Sequence, residues 1–244
     1  MTDTYSVTAE FYDLLQATQF LRTAERLLDR WLGTPHVGIL DIGAGTGLAT
    51  CLMVGRSDVT VHAVEPAAGM RSVMLSRLAG RSELLSRVRV HARGLQDLGL
   101  SGVADFAWCL NTMGSLSRAE RAAGLAALAT AVVPGGTLVV QRPPAEPGAE
   151  RADLPSWQLG GDLYSGEVAC VPTGPELVEW RFTYRVARDG ILIREESETF
   201  AGHLATEAEF AEQLAAAGFA PVGTDEPDVV IARRIRVRPA TPAG

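Results

Sequence analysis

The sequence predicts a doubly wound α/β domain with an antiparallel β insertion after its fifth strand. Three observations carry this reading. Short apolar runs alternate with helical stretches through the first 142 residues, a period-two stretch with a hairpin signal follows, and a helix and a strand then close the pattern. Repeated strand–helix alternation implies right-handed crossovers, and so a mainly parallel sheet with helices on both faces.

Residues 7–31 place Leu14, Leu21 and Leu28, and also Phe20, Ala24 and Leu27, at helical spacing. Gly33 and Pro35 stop that helix. The apolar runs at 37–42, 59–64, 88–91, 103–110 and 136–141 read as strands, and 47–55, 67–79 and 118–131 as helices between them. Pro134-Gly135-Gly136 supplies the turn into the fifth strand. Segment 143–162, rich in Pro, Gly and acid, reads as a connector.

From Val178 to Val186 apolar and polar residues alternate without a break, the mark of a half-buried antiparallel strand. Asp189-Gly190 is a strong hairpin signal, 191–202 is its partner strand, and 164–171 adds another. The insertion is therefore set at 155–204. Residues 206–217 resume a helix with Thr206 as N-cap and Glu209 three places on, a capping box. Gly218 closes it, 229–237 forms a last strand, and 238–244 reads as a tail. The core is then 1–142 together with 206–237.

Composition narrows the function. A chain of 244 residues, 47% apolar, buries a core without disulfide staples. Cys51, Cys109 and Cys170 are odd in number and lack metal-ligand spacing, so neither a disulfide framework nor a metal site is expected. The first thirty residues mix acids and arginines and do not read as a signal peptide. No run approaches the roughly 18 apolar residues of a membrane span, and the cytoplasm is the expected compartment. A net charge of -7 disfavours nucleic acid or an anionic membrane as partner. All 22 basic residues are arginine. This excludes lysine Schiff-base chemistry, a Walker-A loop and a kinase lysine.

The most specific segment is Asp41-Ile42-Gly43-Ala44-Gly45-Thr46-Gly47, at the end of the first strand and before a helix. Alternate glycines permit positive φ and let a ligand lie against bare backbone. The dinucleotide fingerprint needs glycine at position 48, which is leucine. A loop that merely packs helix on sheet is the bland alternative, as a turn or capping role is for Asp41.

Asp41–Gly47 resembles the first motif of class I S-adenosylmethionine (SAM)-dependent methyltransferases, D/E-x-G-x-G-x-G, in every fixed position. The second strand ends in Glu65, followed by Pro66 and, further on, Met70. The resemblance implies that Glu65 takes both ribose hydroxyls and that Met70 packs on the adenine. Gly94-Leu95-Gln96 stands where the family has its adenine loop, with Gly94 in place of the usual acid, so that Leu95 could offer only its backbone N–H. Ala9-Glu10-Phe11-Tyr12-Asp13 resembles the A-x-x-Y-D stretch of small-molecule methyltransferases, whose N-terminal helix covers the cofactor. Tyr12 is thus either a contact to the amino-acid end of the cofactor or a core residue, and Tyr5 and Arg22 are weaker candidates for the same end. Leu110 and Asn111, after the fourth strand, adjoin that end, though Asn111 also suits a plain turn.

The resemblance further implies a seven-stranded Rossmann-like sheet, SAM as cofactor and S-adenosylhomocysteine as product. The layout is nearest to sugar N-methyltransferases of antibiotic pathways. The expected function is methyl transfer to an amine or hydroxyl of a small molecule such as a secondary-metabolite intermediate or aminosugar, with nitrogen favoured over oxygen. A non-methylating reaction on the same fold, such as cyclisation, is the alternative. His203, where the insertion rejoins the core, is the candidate general base, with a structural histidine as its rival, and Asn111 joins it as a candidate at the reacting centre. The Cys109 thiol reads as buried packing. The insertion either roofs the acceptor pocket, with Trp180, Phe182 and Tyr184 on one face, or makes a homodimer contact.

Overall fold

The computed structural model describes residues 4–223 and 226–235. In chain order the core elements are α1 (Thr8–Trp31), β1 (Ile39–Ile42), α2 (Leu48–Gly55), β2 (Val61–Val64), α3 (Ala68–Ala79), α4 (Ser82–Leu85), β3 (Val88–His91), β4 (Ala104–Cys109), α5 (Arg118–Ala131) and β5 (Val132–Gln141). The insertion holds β6 (Arg151–Asp153), β7 (Trp157–Leu159), β8 (Asp162–Gly174), β9 (Leu177–Arg188) and β10 (Ile191–His203). The core resumes with α6 (Glu207–Ala216), β11 (Phe219–Pro221) and β12 (Val229–Arg234).

The main sheet has seven strands in the order β11-β12-β5-β4-β1-β2-β3, as the expected architecture requires. Strands β3, β2, β1, β4 and β5 pair in parallel, and β12 is antiparallel to both neighbours. Strand order reverses between β1 and β4, and ligands of such sheets bind at the carboxyl edge of that reversal. Register makes the edge flush: Ile42 pairs with Val64 and Cys109, Val64 with His91, and Cys109 with Val140. The next residues, Gly43, Glu65, Leu110 and Gln141, therefore stand in one row.

Several elements differ from the sequence reading. The antiparallel sheet opens at Arg151 rather than 155, because β6 and β7 pair with β8 inside the expected connector. Pro134-Gly135-Gly136 lies within β5. Val132 pairs with Ala104 and Thr137 with Phe106, so residues 133–136 bulge between two paired stretches. The α6 capping box is half formed: Thr206 accepts the Glu209 N–H at 3.1 Å, but the Glu209 carboxylate turns to Arg121 and Arg118. Arg121, 1% exposed, also donates to Leu116 O at 2.7 Å. The complete box is at α5, between Ser117 and Glu120. The Asp189-Gly190 turn is present, with φ of 49° and 78°. Of the expected last strand, residues 236–237 lie outside the described residues, as does the tail 238–244. No helix among the described residues is long and apolar enough to cross a membrane.

Helix α1 joins the two sheets. Its C-terminal half buries Ala24, Leu27 and Leu28 with β1 and α2 residues such as Ile39 and Met53. Its N-terminal half buries Phe11 and Leu15 against Tyr184 and Val186 of β9. Phe11 stacks on Tyr184 with centroids 4.6 Å apart, and the Tyr184 hydroxyl bonds Thr8 Oγ1 at 3.1 Å. The first amides of a helix need outside acceptors. Here Glu198 of β10 provides them, accepting Ser6 N–H at 2.9 Å and Thr8 N–H at 2.8 Å. A carboxylate at this end also complements the helix dipole.

Candidate active site

The glycine loop leaves β1 with φ of +66° at Gly43, +56° at Gly45 and +80° at Gly47, values that L side chains rarely adopt. The three glycines serve different ends. A Cβ at Gly43 would run into Thr112 Oγ1, and one at Gly47 would lie 2.7 Å from Met74 Cγ, so these two allow close packing. A Cβ at Gly45 would meet nothing nearer than Gly43 O at 3.8 Å. The loop is therefore uncrowded at Gly45, though Gly43, Gly45, Gly47 and Glu65 line neither of the two cavities described below.

Glu65, 5% exposed, stands beside this loop. Its Oε2 accepts the Gly45 N–H at 2.9 Å and its Oε1 the Ala67 N–H at 2.8 Å. Each oxygen keeps a further lone pair for another donor. Burial raises the Glu65 pKa, and the two backbone N–H bonds oppose that rise. Asp41 has a different role. It is 1% exposed, and its Oδ2 accepts the Thr50 hydroxyl at 2.5 Å, so it braces β1 against α2. Burial raises its pKa to about 7, against the Thr50 bond and with the help of the Glu65 charge.

That shift has a measurable consequence. A carboxyl whose folded pKa is raised contributes its full share of stability below its unfolded pKa, near 4, and loses it as pH rises through about 7. Asp41→Asn removes the titration. Its melting temperature is expected to match wild type near pH 4 and to exceed it by several degrees at pH 8, as read by paired thermal melts. A gap that does not change with pH rules this out.

The other expected contacts divide. Ala44 and Met70 are buried, Pro66 and Gln96 are exposed, and Gly94 leads into a short 3-10 turn whose first residue, Leu95, is buried. A cavity of about 540 Å³ opens beside the ends of β4 and β5. Tyr5, Tyr12, Asn111, Trp180, Phe182 and Phe200 are among the residues around it. A second cavity of about 490 Å³, with Phe20, Leu110 and Leu154 in its wall, shares Tyr12, Gln16, Asn111 and Gln141 with the first.

Tyr12 thus stands between the two spaces. Burial, then the neighbouring Asp13 charge, raises its pKa to about 12, against a hydrogen bond with the Asn111 side chain. Asn111 has φ of +54° and donates its N–H to Gln141 Oε1 at 2.9 Å. It is a turn residue and a cavity residue at once. Tyr5, with φ of +68°, stacks on Phe200 at 4.5 Å, and burial raises its pKa as well.

Two candidates are placed elsewhere. Arg22 is exposed on α1 and lines neither cavity. His203 lines neither cavity; it ends β10 paired with Leu177. Proximity in sequence to the insertion junction did not orient it toward either cavity. His62 and His91 share a 3.1 Å hydrogen bond between neighbouring strands, and burial lowers both pKa values. Tyr184 is fully buried behind the cavity, whereas Trp180 and Phe182 reach it. Cys109 is fully buried, with its thiol pushed up to about 12 by desolvation, so it is packing rather than nucleophile.

Phe200, Gln16 and Gln141 were missed by sequence reasoning. Phe200 lies on the period-two face of 191–202, and Gln141 directly follows Val140 in the flush row, so both had a readable signal. Gln16 had none beyond its place one turn after Tyr12.

Comparison with known proteins agrees with this geometry. A methyltransferase-domain family model matches residues 39–136. No curated protein matches the chain. The solved structures that it resembles include SAM-bound CalS10, an amino pentose methyltransferase of calicheamicin biosynthesis from Micromonospora echinaspora, at 23% identity and a TM-score of 0.66 over 89% of this chain and 90% of that one. The sugar N-methyltransferase KedS8 from a Streptoalloteichus species is 21% identical with a TM-score of 0.67 over 91% and 87%. Streptomyces venezuelae DesVI is 17% identical with a TM-score of 0.73 over 92% and 95%. Residues 39–136 thus match a methyltransferase-domain model, and the chain as a whole has the Rossmann-like fold of these solved methyltransferases.

Proposed function

We propose that this protein transfers a methyl group from SAM to an amine of a small molecule. The observation that carries the reading is the pairing of an open glycine loop and buried Glu65 with an adjoining cavity on the same sheet edge. Glu65 would hold the ribose hydroxyls through its free lone pairs, the backbone of Gly43–Gly47 would line the ligand, and Met70 and Leu95 would border the adenine. SAM, when bound, supplies a methyl group already activated by the positive sulfonium. What remains for the protein is alignment of the nucleophile and exclusion of water.

The cavity lining supports nitrogen over oxygen. It contains no histidine, and its phenols Tyr5 and Tyr12 stay protonated through neutral pH. A hydroxyl acceptor gains from a general base, whereas a neutral amine needs only its lone pair. Glu146, also in the lining, favours the approach of an amine in its ammonium form, which gives up its proton to a carboxylate or to water before the lone pair attacks, whereas Asp228 is paired with Arg142 of the same wall. Trp180, Phe182 and Phe200 make the insertion the roof of this acceptor space. The alternative expected for that face is contact between two copies, and Leu159, Ile191, Leu192 and Ile193 at the other end of the insertion are a separate exposed apolar surface whose self-association ultracentrifugation tests. An aminosugar or a related secondary-metabolite amine fits this setting, as does the chemistry named for CalS10 and KedS8.

The test is incubation with isotope-labelled SAM and a panel of aminosugars and matched hydroxyl analogues, read by mass spectrometry. The expected result is a labelled N-methyl product with an equal amount of S-adenosylhomocysteine. Turnover of an acceptor without any S-adenosylhomocysteine would establish the cyclisation-type alternative. Absence of calorimetric heat with both SAM and S-adenosylhomocysteine would overturn the reading.

A further inference from the structure

We infer that Asp13 is a positioning residue that locks the glycine loop of the cofactor site onto helix α1. The inference rests on the SAM-binding reading given above. Loop residues Gly45 and Gly47 both have positive φ, so their own conformational preference does little to fix the backbone. Thr46 between them carries the only side chain in that stretch, and it is 1% exposed. Both of its polar handles are tied from outside the loop. Its hydroxyl donates to Asp13 Oδ1 at 2.7 Å, and its carbonyl accepts from Arg77 Nε of α3 at 2.9 Å. The ring closes where the Arg77 guanidinium meets Asp13 Oδ2.

This ring holds the Thr46 side chain and the peptide unit that follows it, and Gly45 presents its N–H to Glu65 from the same short run. A loop fixed beforehand binds a ligand without the entropic cost of ordering it. The neighbour of Asp13, Tyr12, stands in the walls of both cavities, and Thr8, one turn earlier, lines the first. Seating Asp13 on the loop therefore also sets the wall of the acceptor space. A helix that merely packed here would need apolar contact alone. A carboxylate aimed at one loop hydroxyl and one arginine is a register-specific fastening.

The experiment compares wild type with Asp13→Ala, Thr46→Val, Thr46→Ser and the Asp13→Ala/Thr46→Val pair. Calorimetry with SAM and with S-adenosylhomocysteine is combined with far-UV circular dichroism and with hydrogen exchange of the free protein. Asp13→Ala and Thr46→Val are each expected to weaken both ligands about tenfold with unchanged secondary structure. The double variant loses little more than Asp13→Ala alone, since Thr46→Val removes a bond that Asp13→Ala has already broken. Thr46→Ser, which keeps the hydroxyl, retains affinity near wild type. The amides of residues 45–47 exchange faster in Asp13→Ala. Wild-type affinity in Asp13→Ala, or additive losses in the double variant, overturns the inference. A wild type that binds neither ligand removes the cofactor reading instead, and unchanged exchange at 45–47 in Asp13→Ala would then overturn the locking role by itself.

Discussion

Glu65→Ala is expected to weaken SAM and S-adenosylhomocysteine binding at least about 100-fold, as two charge-assisted hydrogen bonds worth about 1.5–3 kcal/mol each are lost. The substitution also frees the Gly45 and Ala67 N–H groups that the carboxylate now holds. Gln is a poor substitute at this position. Each carboxylate oxygen accepts one backbone N–H, so either orientation of an amide sets its NH2 group against one of those donors. Glu65→Gln should therefore retain the far-UV spectrum of the wild type yet bind well below it. Titration calorimetry with S-adenosylhomocysteine reads both variants, and a Glu65→Ala protein within threefold of wild type would falsify the assignment of the ribose site.

Phe11→Ala is expected to cost about 3–5 kcal/mol of stability, in the range of full aromatic truncations in a core. Phe11 is 0% exposed. Its ring lies 4° from parallel to Tyr184, and the Arg194 guanidinium sits over it at 5.1 Å. The hole would open between α1 and β9, where Phe11 and Leu15 are buried against Tyr184 and Val186. The Glu198 bonds and the buried Tyr184–Thr8 bond remain, but polar contacts do not replace the packing of a buried ring. Urea denaturation followed by circular dichroism measures the loss. A change under 1 kcal/mol would mean that α1 is held by its polar ties. Acceptor turnover in the same variant should fall further than SAM affinity, because Tyr5, Thr8 and Tyr12 lose their seat on the cavity wall.

How much of this was legible in the sequence depends on whether the governing interaction is local. The glycine loop and Glu65 were readable because turn chemistry and strand ends write themselves into a few adjacent residues. Strand β9 was readable because apolar and polar residues alternate along it, and β10 because Asp189-Gly190 marks the hairpin that returns it alongside. Strands β6 and β7 were not, since every residue in both is exposed and no period can show. Glu209 carries the correct offset for a capping box, but Arg121, 88 residues away, outbids the helix amide for its carboxylate. The same blindness explains His203, whose facing is set by pairing with Leu177, and Arg22, a weaker candidate for the amino-acid end of the cofactor that stands on an exposed helix face. Asp13 was visible as part of A-x-x-Y-D, while its partners Thr46 and Arg77 lie 33 and 64 residues on.

The fastening of α1 by residues near position 198 sets an order of events during biosynthesis. The bonds from Ser6 and Thr8 to Glu198 span 192 and 190 residues of sequence. Contacts this distant close slowly, since a long loop must be ordered before they form. On the ribosome the N-terminal half of the helix emerges first and must wait, with Phe11 and Leu15 uncovered, until β9 and β10 have been made. The glycine-rich turn and its strands can fold in the meantime. The nascent molecule therefore gains a place for the adenosyl group before it gains a chamber in which to use it.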